Sequence, residues 1–180
     1  MSDVKPDSYN AVSIGLHWLT VVLFVAAYST IELRELFPKG SDARDAMKWW
    51  HESVGLSIFI LAGLRLFIRL VARPRFPKET HPWLRALSGA SHAALYLLMI
   101  TLPLIGWIML SADGKTIPFF SVNLPPLIAR DENLAGQLEE LHETIGTLGY
   151  WLIGLHASAA LFHHYVLRDK TLWRMLPVRS

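Results

Sequence analysis

LHETIGTLGYWLIGLH, residues 141–156, places His142 and His156 fourteen residues apart on one apolar segment. Fourteen residues is nearly four helical turns, so both imidazoles point to the same side, roughly 21 Å apart along the axis at 1.5 Å per residue. That spacing suits two haems stacked across a bilayer and held from one helix.

The rest of the chain supplies such a helix with partners. Of 180 residues, 52% are hydrophobic and seven are Trp. The mean hydropathy of +0.32 is high for a soluble domain of this size. Four apolar runs account for it: Val12 to Ile31, Trp50 to Val71, Leu87 to Leu110 and Leu141 to Leu167. Each reaches the ~20 residues a helix needs to cross about 30 Å of hydrocarbon. None shows the alternation of a barrel strand, the other structure that satisfies its backbone in lipid. The expected fold is an all-α, integral membrane four-helix bundle, one domain over residues 1–180 with spans near 12–31, 50–71, 87–110 and 141–167.

The first span has a single Lys, Lys5, on its N-terminal flank, exceeds a normal signal-peptide core and is followed by no small-x-small cleavage site. It is expected to remain in the mature protein. With no Cys, disulfides, iron–sulfur clusters and covalent haem attachment are excluded.

Charge sets the orientation. Between spans two and three lie Arg69, Arg73, Arg75, Lys78 and Arg85 against Glu79, and the tail adds Arg168, Lys170, Arg174 and Arg179 against Asp169. The other two connections are mixed or acidic. The first has Arg34, Lys39, Arg44 and Lys48 with Glu32, Glu35, Asp42 and Asp45; the third has Lys115 and Arg130 with Asp113, Asp131, Glu132, Glu139 and Glu140. The positive-inside rule puts both termini in the cytoplasm. A topology signal explains the basic pI, so nucleic acid is not an expected partner; the lipid bilayer is. The third connection, Ser111 to Leu138, holds Pro118, Pro125 and Pro126, which are expected to break regular structure and leave a cap over the periplasmic end. Pro103 and Gly106 predict a kink in span three.

Counting from the membrane edges puts the histidines at two depths. His51 and His142 sit near the periplasmic starts of spans two and four, whereas His17 and His156 lie nearer the cytoplasm. His51-Glu52-Ser53-Val54-Gly55 nearly repeats as His142-Glu143-Thr144-Ile145-Gly146. In both, Gly follows the His by one turn on the same face, where a flat macrocycle needs access to bare backbone. Gly15-Leu16-His17 and Gly154-Leu155-His156 share a shorter pattern. An iron held by two imidazoles has no position left for oxygen and carries electrons.

Arg65 follows His51 by fourteen residues on nearly the same face, at the inner level. A cation inside an apolar run is costly, and haem propionates need cationic partners, which makes Arg65 a functional candidate. Arg69, one turn on, snorkels to the headgroups on the simpler reading. His92, in span three near the cytoplasm, has three readings, of which ligation ranks last: propionate contact, lining of a quinone pocket, or inner ligand in place of His17. His163, two turns past His156, is placed to hydrogen-bond a quinone carbonyl and exchange a proton, or to rest at the interface beside His164 and Tyr165. His81, next to Pro82, reads as solvent-facing.

These motifs resemble the bacterial cytochrome b561 family. The likeness covers nearly the whole chain: Ile14-Gly15-Leu16-His17-Trp18, the His51 motif, Leu138 through Gly149, Gly154-Leu155-His156-Ala157, His163-His164-Tyr165 and Leu172-x-Arg174-Met175-Leu176-Pro177. The resemblance implies two b haems ligated by His17, His51, His142 and His156. It is closest to members described as superoxide oxidases, which implies an inner-membrane enzyme passing electrons from periplasmic superoxide to ubiquinone. The competing expectation is an electron-transfer subunit that serves a periplasmic redox partner, a dehydrogenase or hydrogenase. A haem-free transporter with His proton relays leaves the paired glycines unexplained. Superoxide is an anion and the periplasmic connections are acidic, so a local basic patch is expected at the outer haem. Lys48, one turn before His51, and Arg44 are its nearest candidates, with Lys115 and Arg130 from the long loop.

Overall fold

A computed structural model describes residues 9–72 and 82–177 of the protein. The readings given for Lys5, Arg73, Arg75, Lys78, Glu79, His81 and Arg179 lie outside the described residues.

Among the described residues, four helices carry the fold: α1 (Ala11–Leu33), α2 (Asp42–Ala72), α3 (Pro82–Asp113) and α4 (Glu132–Tyr165). All four are long and apolar enough to cross a membrane. At 1.5 Å per residue, the 34 residues of α4 make a rod of ~50 Å, well beyond the hydrocarbon thickness. The excess is at one end. α2 starts at Asp42 and α4 at Glu132, each two turns or more before its apolar run. Acidic residues suit those starts: Asp42 and Asp45 lie in the first turn of α2, and the Asp131 carboxylate accepts from the amides of Asn133 and Leu134 at 3.1 Å. α1 begins on a similar cap, Asn10 accepting from Ser13 N at 2.7 Å. α3 runs unbroken as one helix through Pro103.

Large apolar side chains face outward, including Val22 at 61%, Leu155 at 67% and Trp151 at 78% exposure. A continuous apolar exterior of this kind is stable against lipid and not against water. Inside, Ala27, Val54, Ile58, Ala62 and Met99 form the core where α1, α2 and α3 meet. The small residues Ala27 and Ala62 let the helices approach, as membrane packing requires. Packing joins α1 to α2, α2 to α3 and α3 to α4; among the described residues, α4 has no comparable packing against α1 or α2.

The third connection differs from the expected irregular loop. Strands β1 (Ile117–Phe119) and β2 (Val122–Leu124) pair as an antiparallel ribbon, with Phe119 opposite Val122 and Pro118 opposite Asn123. The pair closing a two-residue turn is the hydrogen-bonded one, so Pro118 falls at the neighbouring non-bonded pair, where no N–H is needed. The turn requires a left-handed residue, and Phe120 adopts φ +52°. It is held there. The Phe120 amide donates to Ser53 Oγ at 3.2 Å, and its ring sits edge-on to Trp49 and Trp50. Farther along, Trp107 Nε1 donates to Pro125 O, Leu127 N to Ser111 Oγ and Asp131 N to Ala112 O. Ile117 buries against Leu56 and Leu110 beneath the ribbon. The connection is thus a cap fastened to α2 and α3.

Ser53 is fully buried, so Ser53→Ala leaves the Phe120 amide unpaired. We expect this to weaken cap docking by about 1–2 kcal/mol and to speed proteolysis at the Phe120–Ser121 turn. Unchanged melting and cleavage would show that the cap is fastened elsewhere.

Candidate functional site

The gap between α4 and the α1–α2 pair is a cavity of about 860 Å³, running from Asp45, Lys48 and Glu139 at the cap end inward to Phe24, Leu98 and Met99. His51 from α2 and His142 from α4 face each other across it, with ring centroids 6.2 Å apart and planes at 78°. That separation leaves room for one metal ion between the two rings at bonds of ~2 Å each. His51 Nδ1 lies 2.9 Å from the Ala27 carbonyl. Donation there puts the proton on Nδ1 and leaves Nε2 with its lone pair free, the arrangement a metal-binding histidine requires. His142 Nδ1 is buried without a well-formed hydrogen bond, although the Leu102 carbonyl is close enough to interact.

The glycines behave as a cradle. A methyl group at Gly55 or Gly146 would meet no atom within 4 Å, so both face the open space beside their histidines. Gly106 does something the sequence did not disclose: a Cβ there would press on the His142 ring at 3.3 Å. The position expected to bend α3 is therefore the seat of His142. Tyr28 bridges α1 to α4 by donating to Gly146 O at 2.9 Å, and it lies over Gly149, where a side chain would collide with its hydroxyl. Tyr150 donates to Glu32 at 2.6 Å alongside.

Charges at the mouth correct one expectation. Arg44 is no free cation: it is buried, bonded to both Glu35 oxygens, to Arg34 O and to Phe37 O, and it closes the turn between α1 and α2. Lys48 does line the cavity, half-exposed and 3.9 Å from Asp45. Lys115 lines it as well, but is ion-paired to Asp113, whose bond holds the ammonium above the usual lysine range. Arg130 pairs with Glu132 and folds over Gly114.

At the other end, His17, His92 and His156 come within interaction range of one another. The His92 and His156 rings are 5.6 Å apart at 82°, and His92 Nδ1 is tied to Ser88 O at 2.6 Å. Arg65 lies 3.4 Å from His17 Nδ1, its guanidinium over the Tyr96 ring at 5.7 Å. Gly15 and Gly154 again face open space. The structure thus gathers all the inner candidates and brings His92 closer to His156 than the sequence ranking implied. His163 lies beyond them, bonded to Asp169 at 2.5 Å, a partner no sequence signal announced.

Comparison with known proteins agrees in extent with this architecture. The family model described as prokaryotic cytochrome b561 matches residues 8–178. A protein named cytochrome b561 homolog 1, from Escherichia coli (strain K12), is 34% identical over 179 residues, covering 97% of this chain and 99% of its own. A probable superoxide oxidase CybB from Yersinia pestis is 39% identical over 171 residues, 94% and 96% of the two chains. Cytochrome b561 homolog 2 of the same E. coli strain is 27% identical over 173 residues, 95% and 92%.

The inner level gives a sharp prediction. His17→Ala is expected to remove half of the bound haem, whereas His92→Ala retains the full complement with an unaltered low-spin spectrum. Haem assay of the purified variants decides it, and the reverse pattern would make His92 the partner of His156.

Proposed function

The chain belongs to the prokaryotic cytochrome b561 family, membrane b-type cytochromes built as four-helix haem bundles for electron transfer, and from that premise we propose that it is a superoxide oxidase of a bacterial inner membrane. The overall reaction takes two superoxide ions, two protons and one ubiquinone to two oxygen molecules and ubiquinol. The observation that carries this reading is the pair of histidine levels on α4. One faces a cap-end cavity open to an aqueous small molecule; the other lies two turns from a histidine near the tail end.

The residues fit two b haems. His51 and His142 would hold the outer one, with Gly55 and Gly146 leaving room for its faces. His17 and His156 would hold the inner one, with Arg65 turning from His17 to a propionate. Bound there, the haems supply one-electron carriers at two depths. The chain does the rest. Two imidazoles per iron would leave oxygen no position as a ligand. His92 and His163 border the place where the quinone head would bind. Superoxide as donor is supported by likeness to the probable superoxide oxidase of Yersinia pestis.

One observation favours a second reading, an electron-transfer subunit for a periplasmic redox partner. The cavity is lined by Glu32, Glu35, Asp45, Glu52, Glu139 and Glu143 against Arg34, Lys48 and Lys115, a field that attracts a cationic protein surface and repels an anion.

A pulse of superoxide delivered to the haem-loaded protein with ubiquinone separates the two. Superoxide oxidase activity predicts ubiquinol at one per two superoxide ions consumed, and loss of that yield would leave the partner-dependent subunit. Lys48→Glu is expected to slow superoxide consumption severalfold and weaken its salt dependence while leaving haem spectra intact. An unchanged rate removes Lys48 from the mechanism.

A further inference from the structure

The polypeptide beyond α4 is folded back on its own helix end, and the contact it makes there is with His163. Helix α4 closes at Val166, whose amide bonds to Phe162 O at 2.9 Å. Arg168 then takes φ +54°, a left-handed conformation that costs a non-glycine residue roughly 1–2 kcal/mol. Strain of this kind persists where the surrounding structure over-determines it. Here it reverses the chain so that Asp169 N bonds to His163 O at 3.1 Å and Asp169 Oδ2 meets His163 Nδ1 at 2.5 Å. The second carboxylate oxygen, Oδ1, accepts from Thr171 N at 2.8 Å, which fixes the carboxylate's plane.

The segment is also tied down at its far end. A 3-10 turn at Trp173–Met175 lies against the His164 ring at 5.7 Å, Met175 O accepts from Trp18 Nε1 at 2.8 Å, and Arg174 O accepts from Tyr9 N at 3.2 Å. The tail thus bridges α4 to the start of α1, with Asp169 at the α4 end of the bridge. The Asp169 carboxyl is held below its ordinary range: partial burial pushes it up, and the hydrogen bonds from His163 and Thr171 outweigh that.

We propose that Asp169 is a positioning residue that holds His163 as the proton donor to a quinone carbonyl at the inner end of the bundle; this rests on the quinone reduction proposed above. With Nδ1–H donated to Asp169, the ring is fixed in one orientation and Nε2 is the nitrogen left to face a ligand. His163 is seven residues past His156, ~10 Å along the helix axis and on the same stripe. In the transfer, the Nε2–H bond breaks and an O–H bond forms on the quinone oxygen, while the electrons come from the reduced protein. The ring then regains its Nε2 proton from cytoplasmic water, and Asp169 carries the countercharge while both nitrogens are protonated. The arrangement is the orienting-carboxylate device of hydrolytic triads applied to a quinone. An interfacial histidine that merely met water would need neither a strained turn nor a carboxylate bonded in two directions.

The test uses the full-length protein with its haems in detergent. Asp169→Asn keeps a hydrogen-bonding side chain but loses the charge and the fixed tautomer. We expect ubiquinone reduction to fall roughly tenfold or more in kcat with little change in quinone KM, and Asp169→Glu to recover part of the loss. Combining Asp169→Asn with His163→Gln should be no worse than His163→Gln alone, because the two act as a unit. Independently of turnover, proton NMR of 15N-histidine-labelled protein should show a far-downfield imidazole N–H that disappears in Asp169→Asn. Wild-type quinone turnover matched by Asp169→Asn, or additive losses in the double variant, would overturn the assignment alone. Failure of the wild type to reduce ubiquinone would overturn the proposed function and this assignment with it.

Discussion

Everything in this bundle depends on two imidazoles meeting across a space that no helix fills. His51 and His142 stand 6.2 Å apart, on helices that do not pack together, and the cavity between them has bare glycine backbone where side chains would otherwise close it. A membrane bundle gains little from hydrophobic burial in lipid and relies on close contact instead, so an open interior is a cost unless something fills it. A haem would do that, and its binding to the folded form alone would stabilise the fold by mass action.

Because the middle is open, the edges carry the structure. Tyr28 and Tyr150 bridge α1 to α4 through Gly146 O and Glu32. Arg44 locks the α1–α2 turn with four hydrogen bonds. The ribbon is pinned over the cap end by Ser53, and the tail is latched to Trp18 at the other. These polar contacts lie at or near the two ends, where hydrogen bonds compete with water, and they leave the long apolar faces to lipid.

The four helices were legible because hydropathy alone places them, and the outer histidine pair because each histidine repeats its partner's surroundings, His51-Glu52-Ser53-Val54-Gly55 and its copy. What the sequence hid depended on contacts between distant residues. The cap ribbon was obscured by Pro118 and Pro125, which read as breakers until register shows that Pro118 falls where no amide is required. Arg44 reads as an available cation until the Glu35 carboxylate and two carbonyls surround it. The early starts of α2 and α4 escaped a hydropathy reading because the backbone continues as helix where polarity changes. Asp169 was invisible as a partner of His163, since the contact exists only through the left-handed turn at Arg168. His92 ranked low as a ligand from its position along the chain, yet its ring lies against His156.

Low-temperature EPR of the oxidised, detergent-purified protein, with haem and protein quantified on the same sample, tests the central claim most directly. The account predicts two haems per chain, both low-spin ferric with bis-imidazole signals, and loss of one signal in His142→Ala. A single haem, or a high-spin signal from an iron with an open position, would contradict it.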